Sequence, residues 1–192
     1  MTARILAVGV GGQGVLTVTR LLGEAAMAAG MDVRVGQLHG MSQRGGSVQS
    51  TCIVGAGQSS FVGTAQATAL VAMEPLEALR AQAQLSPQTL AVVNRGAIPL
   101  VSQQQAPYPD VDGLFARLRE RVPGLIEVDG PNLAQRAGGM QTLNMVMLGA
   151  LTGIGALPFD EAWLRAAIEG LSGRARDQNL TAFDLGKEDV RT

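Results

Sequence analysis

Short apolar runs alternate with longer amphipathic segments along most of the chain, which is the pattern of an α/β protein. Arg4–Val8 predicts a first strand that is apolar on both faces after its first residue, as in the centre of a parallel sheet. Apolar residues then recur at helical spacing from residue 15 to 29, and Gly30 is suited to end that helix. A short second strand follows at Asp32–Val35. This opening predicts a three-layer α/β/α fold with a mostly parallel, Rossmann-like sheet, in a single domain spanning residues 1–192.

The rest of the chain continues the alternation, after a polar, glycine-rich loop at 36–47. Further strands are predicted at Val48–Val54, Phe61–Gly63, Ala69–Met73, Leu90–Asn94 and Leu125–Val128. Further helices are predicted at Glu74–Gln84, Val111–Arg121, Leu133–Ala137 and Thr142–Ile154, and from about Phe159 and Asp177 onward. The helix at Thr142–Ile154 is apolar nearly all round, so we expect it to be buried in the core, with a subunit contact as the alternative. In the helix after it, Trp163 is expected to face inward.

The composition narrows the possible functions. Of 192 residues, 46% are hydrophobic and 3% aromatic, and the net charge is −1. This balance gives no reason to expect nucleic acid or an anionic membrane as a partner. No apolar run reaches the roughly 20 residues that a spanning helix needs. The N-terminus lacks a signal-peptide pattern, so a cytoplasmic protein is expected.

Cys52 is the single cysteine of the chain. An intrachain disulfide and a cysteine-ligated iron–sulfur cluster are therefore excluded. The residue lies in an apolar, strand-like run, where a small core residue is expected. One cysteine and one distant histidine, His39, are too few ligands for a metal site.

The first glycine loop, Gly9-Val10-Gly11-Gly12-Gln13-Gly14, follows the first strand and opens the first helix. Gly9, Gly11 and Gly14 fit the pattern G-x-G-x-x-G, in which the backbone approaches a phosphate closely at a helix N-terminus. Three interpretations stay open. The loop binds NAD or FAD, it is a tight turn that binds nothing, or it contacts an anionic group presented by another molecule. In the last interpretation the Gln13 amide can donate and accept toward that group.

The dinucleotide interpretation requires an acidic residue at the end of the second strand, where it would bind the ribose hydroxyls. Asp32 precedes that strand and so lies at the wrong end. Arg34 is a possible ligand for a 2′-phosphate, but from the middle of a strand it is expected to point to one face of the sheet. The glycine pattern is therefore weak support for a dinucleotide on its own.

The second glycine loop, His39-Gly40-Met41-Ser42-Gln43-Arg44-Gly45-Gly46, is expected at the same sheet edge as the first. Arg44 can hold a carboxylate or phosphate through two parallel hydrogen bonds. The loop has no nearby acid for a Ser-His-acid triad, and no nucleophile-elbow motif is present. Two interpretations remain: a solvated loop with Arg44 paired to a surface carboxylate, or a loop that completes a site shared with another chain.

The two loops together resemble the gamma-type domain of the 2-oxoacid:acceptor (ferredoxin) oxidoreductases, and within them the indolepyruvate:ferredoxin enzymes. Asn144–Ala150 and Asn179–Phe183 are similar to later segments of the same family, so the resemblance covers nearly the whole chain. It implies one subunit of a larger enzyme, inactive alone and without a cofactor of its own. It also implies a partner, a catalytic subunit that binds thiamine diphosphate and Mg, with iron–sulfur clusters that pass electrons to ferredoxin and coenzyme A as co-substrate.

On this resemblance the two loops face the partner and help to enclose its active site. Arg44 is the candidate catalytic residue, orienting an anionic group of cofactor or substrate. The cofactor-binding or partner-facing set is Gly9, Gly11, Gly12, Gln13, Gly14, His39, Ser42, Gln43, Arg44, Gly45 and Gly46. Indolepyruvate, other aryl 2-oxoacids and branched 2-oxoacids all remain possible substrates. The alternatives are a stand-alone nucleotide- or dinucleotide-binding Rossmann-like protein and a self-associating protein without catalysis; a homodimer also stays open.

Overall fold

A six-stranded sheet organises the protein. The computed structural model describes residues 2–39, 46–57, 59–98, 107–171 and 175–190. Within them the strand order is β2-β3-β1-β4-β5-β6. The strands are β1 (Ala3–Val10), β2 (Val33–His39), β3 (Ser47–Val54), β4 (Ala69–Ala72), β5 (Leu90–Asn94) and β6 (Ile126–Val128). The helices are α1 (Val15–Ala28), α2 (Pro75–Arg80), α3 (Val111–Arg121), α4 (Gly130–Arg136), α5 (Leu143–Gly153), α6 (Glu161–Glu169) and α7 (Arg176–Asp189).

The central strand β1 is buried on both faces, which separates the core into two halves. Ile5 and Ala7 point into one half, with side chains from α1, α4, α5, α6 and α7. Leu6 and Val8 point into the other half, which α2 and α3 cover. Because successive side chains of a strand alternate between faces, an apolar run of this kind requires a helical layer on each side. The predicted three-layer α/β/α fold is confirmed.

The neighbour of β1 differs from the prediction. In a Rossmann-like sheet the second strand lies beside the first, but here β3 lies between β1 and β2 and pairs antiparallel with both. The strand β2 is also longer than predicted, because Gly36 to His39 pair with Thr51 to Val48 instead of forming a loop. The pairs β1–β4, β4–β5 and β5–β6 are parallel. Five of the six strands therefore run in one direction, which confirms a mostly parallel sheet.

Three smaller predictions were wrong. Phe61–Gly63 forms no strand, because its segment crosses over β3, where the Thr51 hydroxyl donates to the carbonyl of Ser60. The helix expected at Glu74–Gln84 ends at Arg80 and is followed by a 3₁₀ turn. Trp163 is 44% exposed. The buried positions of α6 are 164 and 168, one helical turn apart, and residue 163 lies off that face.

The helix α5 lies in the middle of its layer and is buried along its length, as the core interpretation predicted. It crosses α7 with the two backbones in close approach. A Cβ atom on Gly149 would lie 1.9 Å from the carbonyl oxygen of Phe183, and one on Gly186 would lie 1.9 Å from that of Val146. The subunit-contact alternative for α5 is therefore wrong, because its apolar side chains are already enclosed.

Candidate functional site

The first glycine loop joins the C-terminal end of β1 to the N-terminus of α1. Gly14 precedes the helix in the left-handed conformation, with φ of 81°, which glycine adopts without steric cost. It also lies against Asn144 of α5, since a Cβ atom on Gly14 would be 2.5 Å from the Asn144 amide nitrogen. The helix has no side-chain cap and no acidic residue in its first turn. Its N-terminus is thus built from backbone alone.

Gln13 holds this loop from inside. Its Oε1 accepts a hydrogen bond from the Val10 N–H at 2.6 Å, and its Nε2 donates to the Met73 carbonyl at 2.9 Å. A Cβ atom on Gly9 would lie 2.8 Å from the Gln13 Oε1, so the glycine makes room for the amide. We expected this amide to face an external anion, but both of its ends bond to the chain's own backbone. Gln13 is a positioning residue in this arrangement.

The Met73 backbone joins three strand ends at this edge of the sheet. Its N–H donates to the Val8 carbonyl at 2.8 Å, and its carbonyl accepts from Gln13 and, at 2.9 Å, from Nδ2 of Asn94. Asn94 also accepts from the Gly96 N–H through Oδ1 at 3.0 Å. Asn94 was predicted as the last residue of a strand and was given no part in a site. Its position, 1% exposed at the end of a buried strand, marks it as part of the framework.

The two glycine loops meet at the C-terminal end of β1. The Gly11 N–H donates to the carbonyl oxygen of Gly46 at 2.8 Å, and Ser47 lies opposite Val10 in the β1–β3 pairing. His39 ends β2 at the same edge, opposite Val48. The remaining predicted residues of the second loop lie outside the described ranges: Gly40, Met41, Ser42, Gln43, Arg44 and Gly45. The structure therefore brings the described ends of both loops into direct contact.

A pair of buried carboxylates lies behind this contact. Glu77 is 2% exposed; its Oε2 accepts a hydrogen bond from the Ser47 hydroxyl at 2.5 Å, and its Oε1 accepts one from Arg80. Glu74 is 1% exposed; it caps α2 by accepting from the Glu77 N–H at 2.9 Å, and it accepts from the Tyr108 hydroxyl. Glu77 thus fixes the end of the second loop to the helix that follows β4.

The charges of this cluster are unequally compensated. Glu77 has the Arg80 guanidinium, whereas Glu74 has neutral donors among its described contacts. Burial therefore raises the pKa of the Glu74 carboxyl, and the hydrogen bond from Tyr108 opposes that rise. Burial and the adjacent carboxylate also raise the pKa of Tyr108. Sequence patterns indicated the Glu74-Pro75 helix start, but no local signal reports that both carboxylates are enclosed.

The geometry gives little support to a dinucleotide at the first loop. In the dinucleotide-binding arrangement, the strand beside β1 is parallel and ends in an acidic residue. Here the neighbour β3 is antiparallel and places Gly46 and Ser47 at that position. Arg34 pairs opposite Ile53, which lies opposite Arg4. Arg4 is six residues before Val10 on β1, so Arg34 lies about 20 Å along the strand direction from the first glycine loop.

The described part of the chain has neither a cluster of metal ligands nor a membrane-spanning helix. No three His, Cys, Asp or Glu side chains of that part are grouped to hold a metal ion. No helix there has the length and apolar character to cross a bilayer.

Cys52 is fully buried in the core, and burial raises the pKa of its thiol to about 12. The expected core role of this cysteine is confirmed.

Comparison with known proteins finds relatives that match nearly the full length of the chain. Residues 4–188 match the family described as pyruvate ferredoxin/flavodoxin oxidoreductase. Indolepyruvate oxidoreductase subunit IorB of Archaeoglobus fulgidus is 36% identical over 189 residues, covering 97% of this chain and 94% of that protein. The subunit of the same name from Thermococcus kodakarensis is 38% identical over 187 residues, covering 95% and 93%.

Solved structures share the fold at lower identity. The pyruvate oxidoreductase subunit PORC of Thermotoga maritima has a TM-score of 0.72 and 20% identity, covering 97% of this chain and 96% of that one. The 2-oxoglutarate:ferredoxin oxidoreductase of Magnetococcus marinus has a TM-score of 0.74 and 19% identity, covering 99% of this chain but 31% of that one. The matched region is thus one part of that longer chain. The protein described here belongs to the pyruvate ferredoxin/flavodoxin oxidoreductase family.

Proposed function

We propose that the chain is the non-thiamine-binding subunit of a 2-oxoacid:ferredoxin oxidoreductase, with indolepyruvate or another aryl 2-oxoacid as the substrate. The two relatives above with the higher sequence identities, 36% and 38%, are named indolepyruvate oxidoreductase subunits. On this proposal the partner subunit supplies thiamine diphosphate, Mg and iron–sulfur clusters, coenzyme A accepts the acyl group, and ferredoxin accepts the electrons. This chain contributes a surface to the partner's active site and is inactive alone.

The observation that carries the proposal is the hydrogen bond between the two glycine loops. The Gly11 N–H and the Gly46 carbonyl join them at 2.8 Å, while Gln13 and Glu77 fix each loop to the sheet edge from behind. Such bracing by partly buried hydrogen bonds holds the described ends of the loops in one arrangement. A braced pair of loops at the carboxyl ends of parallel strands is suited to contact another molecule.

Arg44 lies outside the described residues and stays a sequence-based candidate. The test is reconstitution with the thiamine-binding subunit, with 2-oxoacid-dependent reduction of ferredoxin as the assay. Loss of a hydrogen-bonded charge costs about 1.5–3 kcal/mol, so Arg44→Ala should lower kcat/KM roughly 10- to 100-fold with assembly intact. Arg117→Ala, at an exposed position of α3, is the matched control and should behave as wild type.

Two outcomes would contradict the proposal. Unchanged turnover, KM and assembly in Arg44→Ala would remove the role given to that residue. Failure of the chain to assemble with any thiamine-binding subunit, together with thermal stabilisation of the isolated chain by NAD or FAD, would favour the stand-alone nucleotide-binding alternative.

A further inference from the structure

The two edges of the sheet are protected very differently. At one edge, β6 has three residues, and its Glu127 pairs with Arg95 and Arg119. Short strands and charges of this kind prevent an edge from pairing with another chain. At the other edge, β2 has seven residues, and no strand within the described ranges pairs with its outer side. The second edge is therefore open to further strand pairing.

Exposed apolar side chains surround the open edge. Val35 of β2 is 41% exposed, and on the neighbouring helix α1 Leu16 is 41% and Met27 67% exposed. These three residues line a groove of about 470 Å³ that runs along α1 and the α1-facing side of β2. Exposed apolar side chains that line a groove beside a free strand edge are typical of a protein interface. Solvation of the groove in an isolated subunit would be unfavourable.

The order of side chains along α1 indicates what covers the groove. Leu16 and Met27 lie at its two ends, and Arg20 and Glu24 lie between them, as an exposed ion pair at 2.7 Å. A two-fold axis perpendicular to α1 near residue 22 exchanges these positions. It sets Leu16 against Met27 of a second copy, and Arg20 against Glu24 of that copy. An interface between identical subunits requires this self-complementary order of apolar and opposite charges.

The same axis also brings two copies of β2 together in antiparallel orientation, because α1 and β2 lie side by side in each molecule. We propose that the open edge of β2 and the groove along α1 bind a second copy of this chain. The two sheets then become continuous across the β2 strands, with both α1 helices on one face. The interface does not depend on the catalytic role proposed above.

Charge reversal tests the interface by measuring mass in solution with light scattering after size exclusion. The wild-type chain should be a dimer. Arg20→Glu alone and Glu24→Arg alone each place like charges across the axis twice, so each should raise the dimer Kd about tenfold or more. A mixture of the two variants should form a heterodimer, because each supplies the charge that the other needs. Contacts within one helix cannot produce this recovery.

Two further variants separate edge pairing from general surface effects. Val35→Lys places a charge on β2 and should give a monomer. Ile126→Lys is the matched control on β6, where the exposed fraction of 36% is similar, and it should remain a dimer. Thermal melts of every variant establish that it is folded. A monomeric wild-type chain, or a dimer that persists in Val35→Lys and both charge reversals, would overturn the proposal. The proposal would also be overturned if Val35→Lys abolished binding of the thiamine-binding subunit while the wild-type chain alone remained a monomer.

Discussion

Any side chain at Gly186 should destabilise the crossing of α5 and α7. A Cβ atom there would lie 1.9 Å from the carbonyl oxygen of Val146, whereas ordinary contact begins at 3.4 Å. The obstacle is backbone on the facing helix and cannot rotate away. The helices must therefore separate by about 1.5 Å to accept one methyl group in a close-packed interior. Gly186→Ala tests how far the fold depends on this close approach.

The expected loss follows from two opposing effects. Overpacking of a core costs about 1–3 kcal/mol, and replacing glycine by alanine inside a helix returns about 0.5–1 kcal/mol. The cost should lie at or above the top of its range, because α5 is buried along its length and packs against neighbouring helices and the sheet, which its movement would disturb. We expect a net loss of about 2 kcal/mol, which for a chain of this size lowers Tm by about 4–8 °C.

The assay is thermal unfolding followed by circular dichroism, with Gly113→Ala as the matched control. Gly113 is an exposed helical glycine of α3. Its Cβ atom would approach only the flexible Asp110 side chain, at 3.2 Å or more. The control should melt at or slightly above the wild-type temperature. Equal melting temperatures for Gly186→Ala, the control and wild type would refute the argument from backbone contact.

Two further predictions concern ionisable contacts. Arg165 donates to both carboxylate oxygens of Asp184, at 2.5 and 2.9 Å, and holds the pKa of that carboxyl below its usual value. A carboxyl whose pKa is lower in the folded state stabilises the fold at pH values above its unfolded pKa. This stabilisation is lost as the pH falls through the folded pKa. Arg165→Gln should therefore show a shallower loss of Tm below about pH 4, and parallel profiles would contradict this. Tyr108→Phe removes a donor from the buried Glu74 and should cost about 1–3 kcal/mol in urea denaturation. An unchanged midpoint would show that the hydrogen bond contributes nothing.

Elements with strong local signals could be predicted to the residue. The strand at Leu90–Asn94 is a short apolar run bounded by turn residues, and the helix at Val111–Arg121 has one apolar face. The side chain of Asp110 accepts from the Gly113 N–H at 2.7 Å and caps that helix. In these segments, local propensity and burial favour the same structure, so tertiary contacts change nothing.

The length of β2 could not be predicted in the same way. Gly36, Gln37 and His39 are typical of a loop, and the polar sequence gives no alternation of apolar positions. They are extended because β3 supplies backbone partners from beyond the second loop, such as Ser50 opposite Gln37 and Val48 opposite His39. Strand pairing at this range depends on the whole sheet and leaves little trace in the paired segment.

The contacts of two polar side chains of the site, Glu77 and Gln13, were missed for a related reason. Glu77 resembles any exposed acid in the first turn of a helix, yet it is enclosed because Ser47 and Arg80 lie against it. Gln13 resembles a ligand-facing amide, yet both of its ends bond to backbone. An enclosed carboxylate or amide is stable only when its partners are present, and for each of these side chains one partner, Ser47 or Met73, comes from a distant segment of the chain.

The antiparallel strand β3 changes the meaning of the first glycine loop. In a dinucleotide fold, the residue beside this loop ends a parallel strand and faces a cofactor. Here that place belongs to Gly46 and Ser47, which enter β3 from the second loop. The Gly11 N–H, which could otherwise face a phosphate, bonds to the chain itself. The same glycine pattern therefore joins the described ends of the two loops, which favours the partner-facing role proposed above over a cofactor enclosed within this chain.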